Sequence, residues 1–357
     1  MDATTADRVS AAPVRAPAGR RRWALAAGFA LVLAGFALWS LLAAGLSDLP
    51  QMPYRYQVVA EGEAASFREL DLEDTPALPV RKLELMADGV EQAVAVGYAA
   101  TMPGRAPVLL GWENRTAEPT LAFDTRATDV TALARAVARH APAGATVLSW
   151  WDTSRQLGLL AGMTPVNDTN LAQPLLLPAQ WRRVRSVIES AEEQFWQAAR
   201  GSEAAARFER YVDALVSEES DGLAALRALA GSGETYLIVQ IVDAYRAGML
   251  RPDRLGIGYR DFPRSAGLHG TIATVKAWLR EQGHESYTID ARDPAVLRVF
   301  FLTTPESKKT LIARLLPFST SNPFTLDAPR IVHQQGPYWV FRLSAQPRPE
   351  GSAPAAS

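Results

Sequence analysis

Residues 236–243, Tyr-Leu-Ile-Val-Gln-Ile-Val-Asp, constrain the fold more than any other stretch of the chain. They form the most strand-like run in the sequence and are apolar on both faces. A strand that is covered on both faces reads as a near-continuous apolar run, whereas a strand with one solvated face alternates. We therefore expect residues 236–243 to form a central, parallel strand of a sheet.

The residues around position 150 predict an α/β unit. Apolar residues recur with helical spacing over residues 128–140, which indicates an amphipathic helix. Pro142 and Gly144 then mark a turn. A short apolar strand follows at residues 145–149, and helical spacing resumes at residues 157–160 after a polar loop. The order of helix, turn, buried strand, loop and helix is typical of α/β folds.

The remaining segments alternate between strand and helix patterns. We predict strands at residues 54–59, 81–86, 92–99, 108–115, 256–259, 286–289, 296–302, 330–333 and 338–343. We predict helices at residues 178–200, 202–216, 221–230, 270–282 and 304–316. The first four strands are expected to form a small antiparallel or mixed sheet. The expected fold class is therefore α/β with a mixed or parallel sheet, divided into a β-rich part at residues 47–127 and an α/β domain at residues 128–343.

The amino-terminal segment predicts a membrane anchor. Residues 1–22 carry five arginines and two aspartates, a net charge of +3, and are expected to be disordered. Residues 23–46 carry no charge and have Trp23 and Trp39 toward their ends. As a helix they would extend about 36 Å, enough to cross a hydrocarbon core of ~30 Å. We therefore expect residues 23–46 to contact the lipid bilayer as a single transmembrane helix.

The charge pattern also predicts the orientation of this anchor. By the positive-inside rule the arginine-rich tail stays in the cytoplasm, so that the domain after Leu46 lies outside the inner membrane, in the periplasm. A cleaved signal peptide is the alternative, because Ala43, Ala44 and Gly45 are small. The apolar core of a signal peptide normally runs only ~7–15 residues, which favours an uncleaved anchor. Residues 344–357, rich in Pro, Ala, Ser and Gly, are predicted to be disordered.

Composition excludes several classes of function. The net charge is −1, so the chain has no basic field of the kind that nucleic-acid binding needs. It contains no cysteine, which rules out disulfides, thiolate metal sites and covalently attached c-type haem. No nucleophile elbow, dinucleotide fingerprint or phosphate-binding loop occurs, and no two of the four histidines are paired at helical spacing. We expect no cofactor, no metal and no catalytic residue of its own.

The polar loop after residues 145–149 is the candidate binding site. Ligands of α/β sheets usually bind at the carboxyl ends of the strands, and a second polar turn at residues 167–170 is placed to return beside this loop. Two interpretations remain open: the tryptophans anchor the core and the aspartate caps a helix, or the loop binds a ligand or partner. The candidate binding residues are Trp150, Trp151, Asp152, Arg155, Asn167, Asp168 and Asn170.

The run Val147-Leu148-Ser149-Trp150-Trp151-Asp152, followed by Thr164-Pro165-Val166-Asn167-Asp168-Thr169-Asn170, is similar to the Trp-Trp-Asp region of membrane oligosaccharyltransferases. In that family an external domain contacts the acceptor peptide through Trp-Trp-Asp-Tyr-Gly, where this chain has Thr153 and Ser154 in place of Tyr and Gly. The multi-spanning catalytic domain of that family has no counterpart here. This resemblance implies an external domain that binds peptide or glycan.

The layout of the whole chain resembles the HaoB family of hydroxylamine oxidation accessory proteins. The resemblance is carried by one amino-terminal anchor, an external α/β domain, the segment Ser149-Trp150-Trp151-Asp152-Thr153-Ser154-Arg155-Gln156 and the closing Tyr338-Trp339-Val340-Phe341-Arg342 strand. It implies a membrane-anchored periplasmic accessory or docking protein for a redox enzyme. The implied partner is the periplasmic multihaem cytochrome that oxidises hydroxylamine, and an accessory protein of this kind needs no haem motif.

Overall fold

Three β-sheets organise the computed structural model, which describes residues 51–116, 126–173, 177–199, 201–264, 267–326 and 328–343. The chain divides into two units, residues 1–51 and 52–357, and every element below belongs to the second. The predicted anchor and both predicted disordered tails lie outside the described residues. In the described ranges, no helix has both the length and the apolar character needed to cross a membrane.

The first sheet is an antiparallel meander of four strands, which confirms the small sheet predicted there. Its strands are β1 (Tyr54–Glu63), β2 (Pro79–Ala87), β3 (Ala95–Met102) and β4 (Arg105–Asn114), paired in chain order. The register between β1 and β2 shifts after Val58, which is typical of an edge-strand bulge. One face buries a cluster that includes Leu70, Val96 and Leu110.

The predicted α/β unit follows at once. Helix α1 (Ala127–His140) leads into strand β5 (Thr146–Leu148), helix α2 (Trp151–Leu160) and strand β6 (Thr164–Pro165). Strand β5 pairs with β6 in parallel. The polar loop predicted between residues 149 and 157 is wrong in its extent, because β5 ends at Leu148 and Trp151 is already the first residue of α2, with Trp150 as its N-cap.

Three α-helices follow β6 along the chain. They are α3 (Arg185–Trp196), α4 (Glu203–Leu215) and α5 (Glu219–Ala230). The single helix predicted at residues 178–200 is wrong in its extent, because residues 179–184 form a 3-10 helix and only α3 is α-helical. The buried face of α3 consists of Ile188, Glu192 and Trp196. Because Glu192 is charged, apolar spacing does not predict that it is buried.

The predicted central strand is confirmed as β7 (Thr235–Gln240), all six residues of which are buried. It is parallel to β5 and antiparallel to the last strand of the chain, so the prediction of a parallel strand holds on one side only. The strand is shorter than the apolar run that predicted it. It ends at Gln240, where Gln240 and Asp243 form a capping box that starts α6 (Ile241–Leu250). Reciprocal capping of this kind satisfies backbone donors that the strand no longer pairs.

The remaining elements build a third sheet and complete the second. The third sheet has the order β8 (Ile257–Pro263), β10 (Val296–Leu302), β9 (Tyr287–Asp290). The second has the order β11 (Arg330–Gln335), β12 (Tyr338–Leu343), β7, β5, β6. The helix predicted at residues 304–316 is interrupted, because Thr310 is extended and forms a bridge with Glu218. The α-helices of this part are α7 (Gly267–Glu281) and α8 (Leu311–Leu315).

The mixed sheet and its helices confirm the predicted α/β class. The division that we predict between residues 127 and 128 falls at the start of α1, and apolar contacts join the two sides. Leu159 and Leu160 of α2 pack against the cluster under the four-stranded sheet. Leu177 and Ile188 share another cluster with Tyr54 of β1.

Candidate functional site

The candidate site lies where β5 and β7 end side by side. The two strands are parallel neighbours, and each runs into a helix, α2 after β5 and α6 after β7. From β5 the chain passes through α2 to β6 on one side, while β7 lies on the other side. This is the topological switch point of the sheet, the place at which open α/β sheets usually bind their ligands.

A buried ion-pair cluster fills this position. Arg246 of α6 donates from Nη1 to Oδ2 of Asp152 at 2.8 Å, and the same nitrogen lies 3.8 Å from Oδ1 of Asp243. The side chains of Arg246, Asp152 and Asp243 are 14%, 22% and 2% exposed. Both aspartates belong to first helical turns, where the helix dipole stabilises a negative charge. The cluster therefore links the amino termini of α2 and α6.

Asp243 is the most deeply buried member of the cluster. Burial raises its pKa from 3.8 to about 7, although Arg246 acts in the opposite direction. Its Oδ2 accepts a hydrogen bond from the Gln240 backbone at 3.0 Å, while its Oδ1 accepts none. The hydroxyl of the buried Tyr211 has no hydrogen-bond partner among the described residues. This position can therefore take up or release a proton near neutral pH.

The two adjacent tryptophans at the start of α2 lie at different depths. Trp150 is fully buried, with its ring edge-to-face on Phe208 at 4.9 Å and the Arg246 guanidinium 5.7 Å from its centre. Trp151 is half-buried. Both indole nitrogens donate to the carbonyl of Gln173, at 3.4 Å and 2.8 Å. Trp150 is thus a core anchor, and Trp151 is the member that solvent reaches.

The other candidates make separate contacts around this edge. Arg155 donates to the backbone carbonyl of Ala106 on β4 at 2.7 Å, and burial lowers its pKa to about 10. Asn167 donates to the carbonyl of Ser149 at 3.1 Å. Asn170 accepts from a backbone amide in its own turn. Arg155 thus connects α2 to β4, and Asn167 connects the turn after β6 to the end of β5. The role of these side chains as ligand contacts stays a prediction.

Asp168 is the candidate that faces solvent. Its carboxylate pairs with Arg207 of α4 at 3.3 Å, and the two side chains are 59% and 32% exposed. An exposed pair of this kind contributes little to stability, about 0–1 kcal/mol. Asp168 is therefore available to a partner without a large cost to the fold.

Sequence reasoning missed Arg246, the residue that holds the cluster together. Arg246 lies 94 positions from Asp152, so no local pattern connects them. The sequence carries only a weak indication of this cluster. Gln240 and Asp243 have the spacing of a capping box, which marks the start of α6. In the described part of the chain no group of His, Asp and Glu side chains is placed to hold a metal ion.

Comparison with known proteins identifies one family. The profile of the family described as HaoA-associated protein HaoB matches residues 20–343. No protein among curated sequences and no solved structure gives a significant match. Because the match covers most of the 357 residues, including the four-stranded sheet, the switch point and the closing strand, the chain belongs to the HaoB family of HaoA-associated proteins.

Proposed function

We propose that this protein is a membrane-anchored periplasmic accessory protein that docks on HaoA, the multihaem enzyme of hydroxylamine oxidation. Membership of a family named for association with HaoA carries this proposal. The chain has no cysteine with which to attach haem. In a complex of the two proteins, the c-type haem would therefore belong to the partner.

The uncharged segment at residues 23–46 supports the membrane location. It follows a tail with a net charge of +3, and the described domain begins a few residues beyond it. Under this proposal the anchor holds the α/β domain at the outer surface of the inner membrane. There the domain shares a compartment with periplasmic cytochromes.

We place the docking surface at the carboxyl edge of β5, around Trp151 and Asp168. Trp151 is half-buried and held in position by its bond to Gln173, and tryptophan is enriched in binding hot spots. Asp168, in the turn after β6, and Arg207 of α4 supply charges that solvent reaches. Charges at the rim of an interface steer association and set its salt dependence.

Topology is the first expectation from this proposal. A reporter enzyme that is active only after export, fused after Leu343, should be active in cells that carry the full chain. The protein should remain in the membrane fraction at full length. An inactive reporter in cells that make the intact fusion would contradict the proposal, and a shortened soluble product would show that residues 23–46 are a cleaved signal.

Docking is the second expectation. Full-length protein in detergent should bind purified HaoA-type cytochrome, and haem absorbance should co-elute with it in size-exclusion chromatography. Asp168→Lys should weaken binding at least about tenfold, which corresponds to ~1.4 kcal/mol. Its melting temperature should change little, because the Asp168–Arg207 pair is exposed.

Glu91→Lys supplies the matched control. Glu91 is exposed in the turn between β2 and β3, so this variant makes the same charge reversal away from the proposed surface. It should bind like the wild type. Equal weakening by both variants would show a general charge effect and remove the surface assignment. A failure of the wild type to bind the cytochrome at all would overturn the proposed function.

A further inference from the structure

A buried carboxylate on α3 is surrounded by aromatic hydrogen-bond donors. Glu192 is 5% exposed. Tyr54 donates to its Oε1, Tyr56 donates to its Oε2 at 3.2 Å, and Trp196 hydrogen-bonds the same carboxylate. In the described ranges no cation pairs with Glu192. Burying a carboxylate without a cation is costly unless hydrogen bonds satisfy it, and here oxidisable side chains supply those bonds.

The rings around Glu192 form a continuous series. Tyr54 lies 4.9 Å from Trp181 and 5.9 Å from Tyr56, measured between ring centres. Tyr56 in turn lies 5.7 Å from Trp196 and 6.4 Å from Trp112. Trp181 and Trp112 are half-buried, whereas Tyr54 is buried. The series therefore connects a buried phenol with two indoles that solvent reaches.

We propose that the Tyr54–Tyr56–Glu192 cluster is a one-electron oxidation site, served by Trp181 and Trp112, for an outer-sphere one-electron oxidant that is stronger than a phenol. Tyr54 gives one electron to the oxidant through these indoles, and its hydroxyl proton passes to Glu192. The products are a neutral Tyr54 phenoxyl radical, a neutral Glu192 carboxylic acid and an oxidant reduced by one electron.

The geometry matches the requirements of this step. An oxidised phenol is a strong acid, so it needs a base within hydrogen-bond reach. The contacts from Tyr54 and Tyr56 are donations to Glu192, so the carboxylate can accept the proton without moving. Burial raises the pKa of Glu192, which makes the carboxylate a stronger base. Burial also raises the pKa of Tyr54, so the phenol holds its proton until it is oxidised.

Trp112 offers a point of entry for the electron acceptor. Its ring lines a cavity of about 460 Å³ together with Tyr98, Arg126 and Arg292. A small oxidant in this cavity would touch the indole directly while Tyr54 stays buried. The cavity therefore separates the place where an oxidant binds from the place where the radical forms.

Photo-oxidation of the full-length protein in detergent tests the proposal. A ruthenium–polypyridyl sensitiser with a sacrificial electron acceptor supplies the oxidant, and electron paramagnetic resonance of freeze-quenched samples detects the radical. The wild type should form a tyrosyl radical rapidly. The double variant Tyr54→Phe/Tyr56→Phe should lose this rapid phase. In Glu192→Gln the rate should fall at least about tenfold, because a positioned base typically contributes 10²–10⁴-fold.

Tyr236→Phe supplies the matched control. Tyr236 also donates to a glutamate, Glu234, at 2.6 Å, but it lies on β7, away from the tryptophans of this cluster. This variant should keep the rapid phase. An unchanged phase in the tyrosine double variant, or an unchanged rate in a folded Glu192→Gln, would overturn the proposal. If Glu192→Gln does not fold, the proposal is tested by the tyrosine double variant alone. That variant keeps both aromatic rings, so their packing is retained.

Discussion

Ile238→Asp is expected to unfold the α/β domain. Ile238 is fully buried at the centre of β7, opposite Val340 of β12. The variant removes apolar contacts and buries a carboxylate within an apolar cluster, at a cost of several kcal/mol. That is comparable with the whole stability of an ordinary domain, about 5–15 kcal/mol. Thermal unfolding followed by circular dichroism should show either no cooperative transition or a strongly lowered melting temperature.

The matched control for this variant is Val332→Asp. Val332 lies on the edge strand β11 of the same sheet and is 46% exposed. Its replacement should change the free energy of unfolding by only about 0.5 kcal/mol, the usual scale for surface positions. If both Ile238→Asp and Val332→Asp melt like the wild type, β7 is not the core strand that the structure shows.

Arg246→Met is expected to have the second largest effect. Removing one partner of a buried ion pair leaves an uncompensated charge and typically costs about 3–5 kcal/mol. Here two carboxylates, Asp152 and Asp243, lose their shared cation. Urea unfolding measures the loss. Arg314→Met, which breaks an exposed pair with Glu219, should cost only about 0–1 kcal/mol.

The effect of Arg246→Met should depend on pH in a defined direction. In the wild type, the raised pKa of Asp243 means that the folded state binds its proton more tightly than the unfolded state. This contribution is fully present below pH 3.8 and is lost as the pH rises to about 7. Without Arg246 the pKa rises further, so the loss of stability extends to higher pH.

The variant and the wild type should therefore differ more at about pH 8 than at about pH 5, where Asp243 is protonated in both folded states. Adding Asp243→Asn to the variant should recover part of the stability at the higher pH, because asparagine keeps the acceptor for the Gln240 amide. A pH-independent difference, with no recovery in the double variant, would show that Asp243 is not charged in this cluster.

Local periodicity predicted most of the elements correctly. Helix α1 and the strand β7 follow patterns that repeat within a few residues, and their existence matches the prediction. The extents of the helices predicted at residues 178–200 and 304–316 were wrong. Periodicity does not show where a backbone tightens into a 3-10 helix or, as at Thr310, extends to make a bridge.

The site was predicted only as a position along the chain. Because ligands of α/β sheets usually bind at the carboxyl ends of strands, we predicted a site directly after β5. The structure places the switch point of the sheet at this position. The structure does not gather the seven candidates around one point, although Trp150 and Trp151 share the carbonyl of Gln173. Trp150 packs inward, Arg155 reaches β4 and Asp168 faces solvent, because the direction of each side chain depends on what packs against its element.

The sequence by itself determined the α/β class and the buried character of β7, because both follow from apolar spacing within single segments. Tertiary structure alone decided which charges are paired and which are isolated. Asp152 meets Arg246 across 94 residues, and Glu192 meets Tyr54 across 138. Contacts at such separations depend on strand order and helix packing, and those are set by the free energy of the whole fold rather than by any one segment.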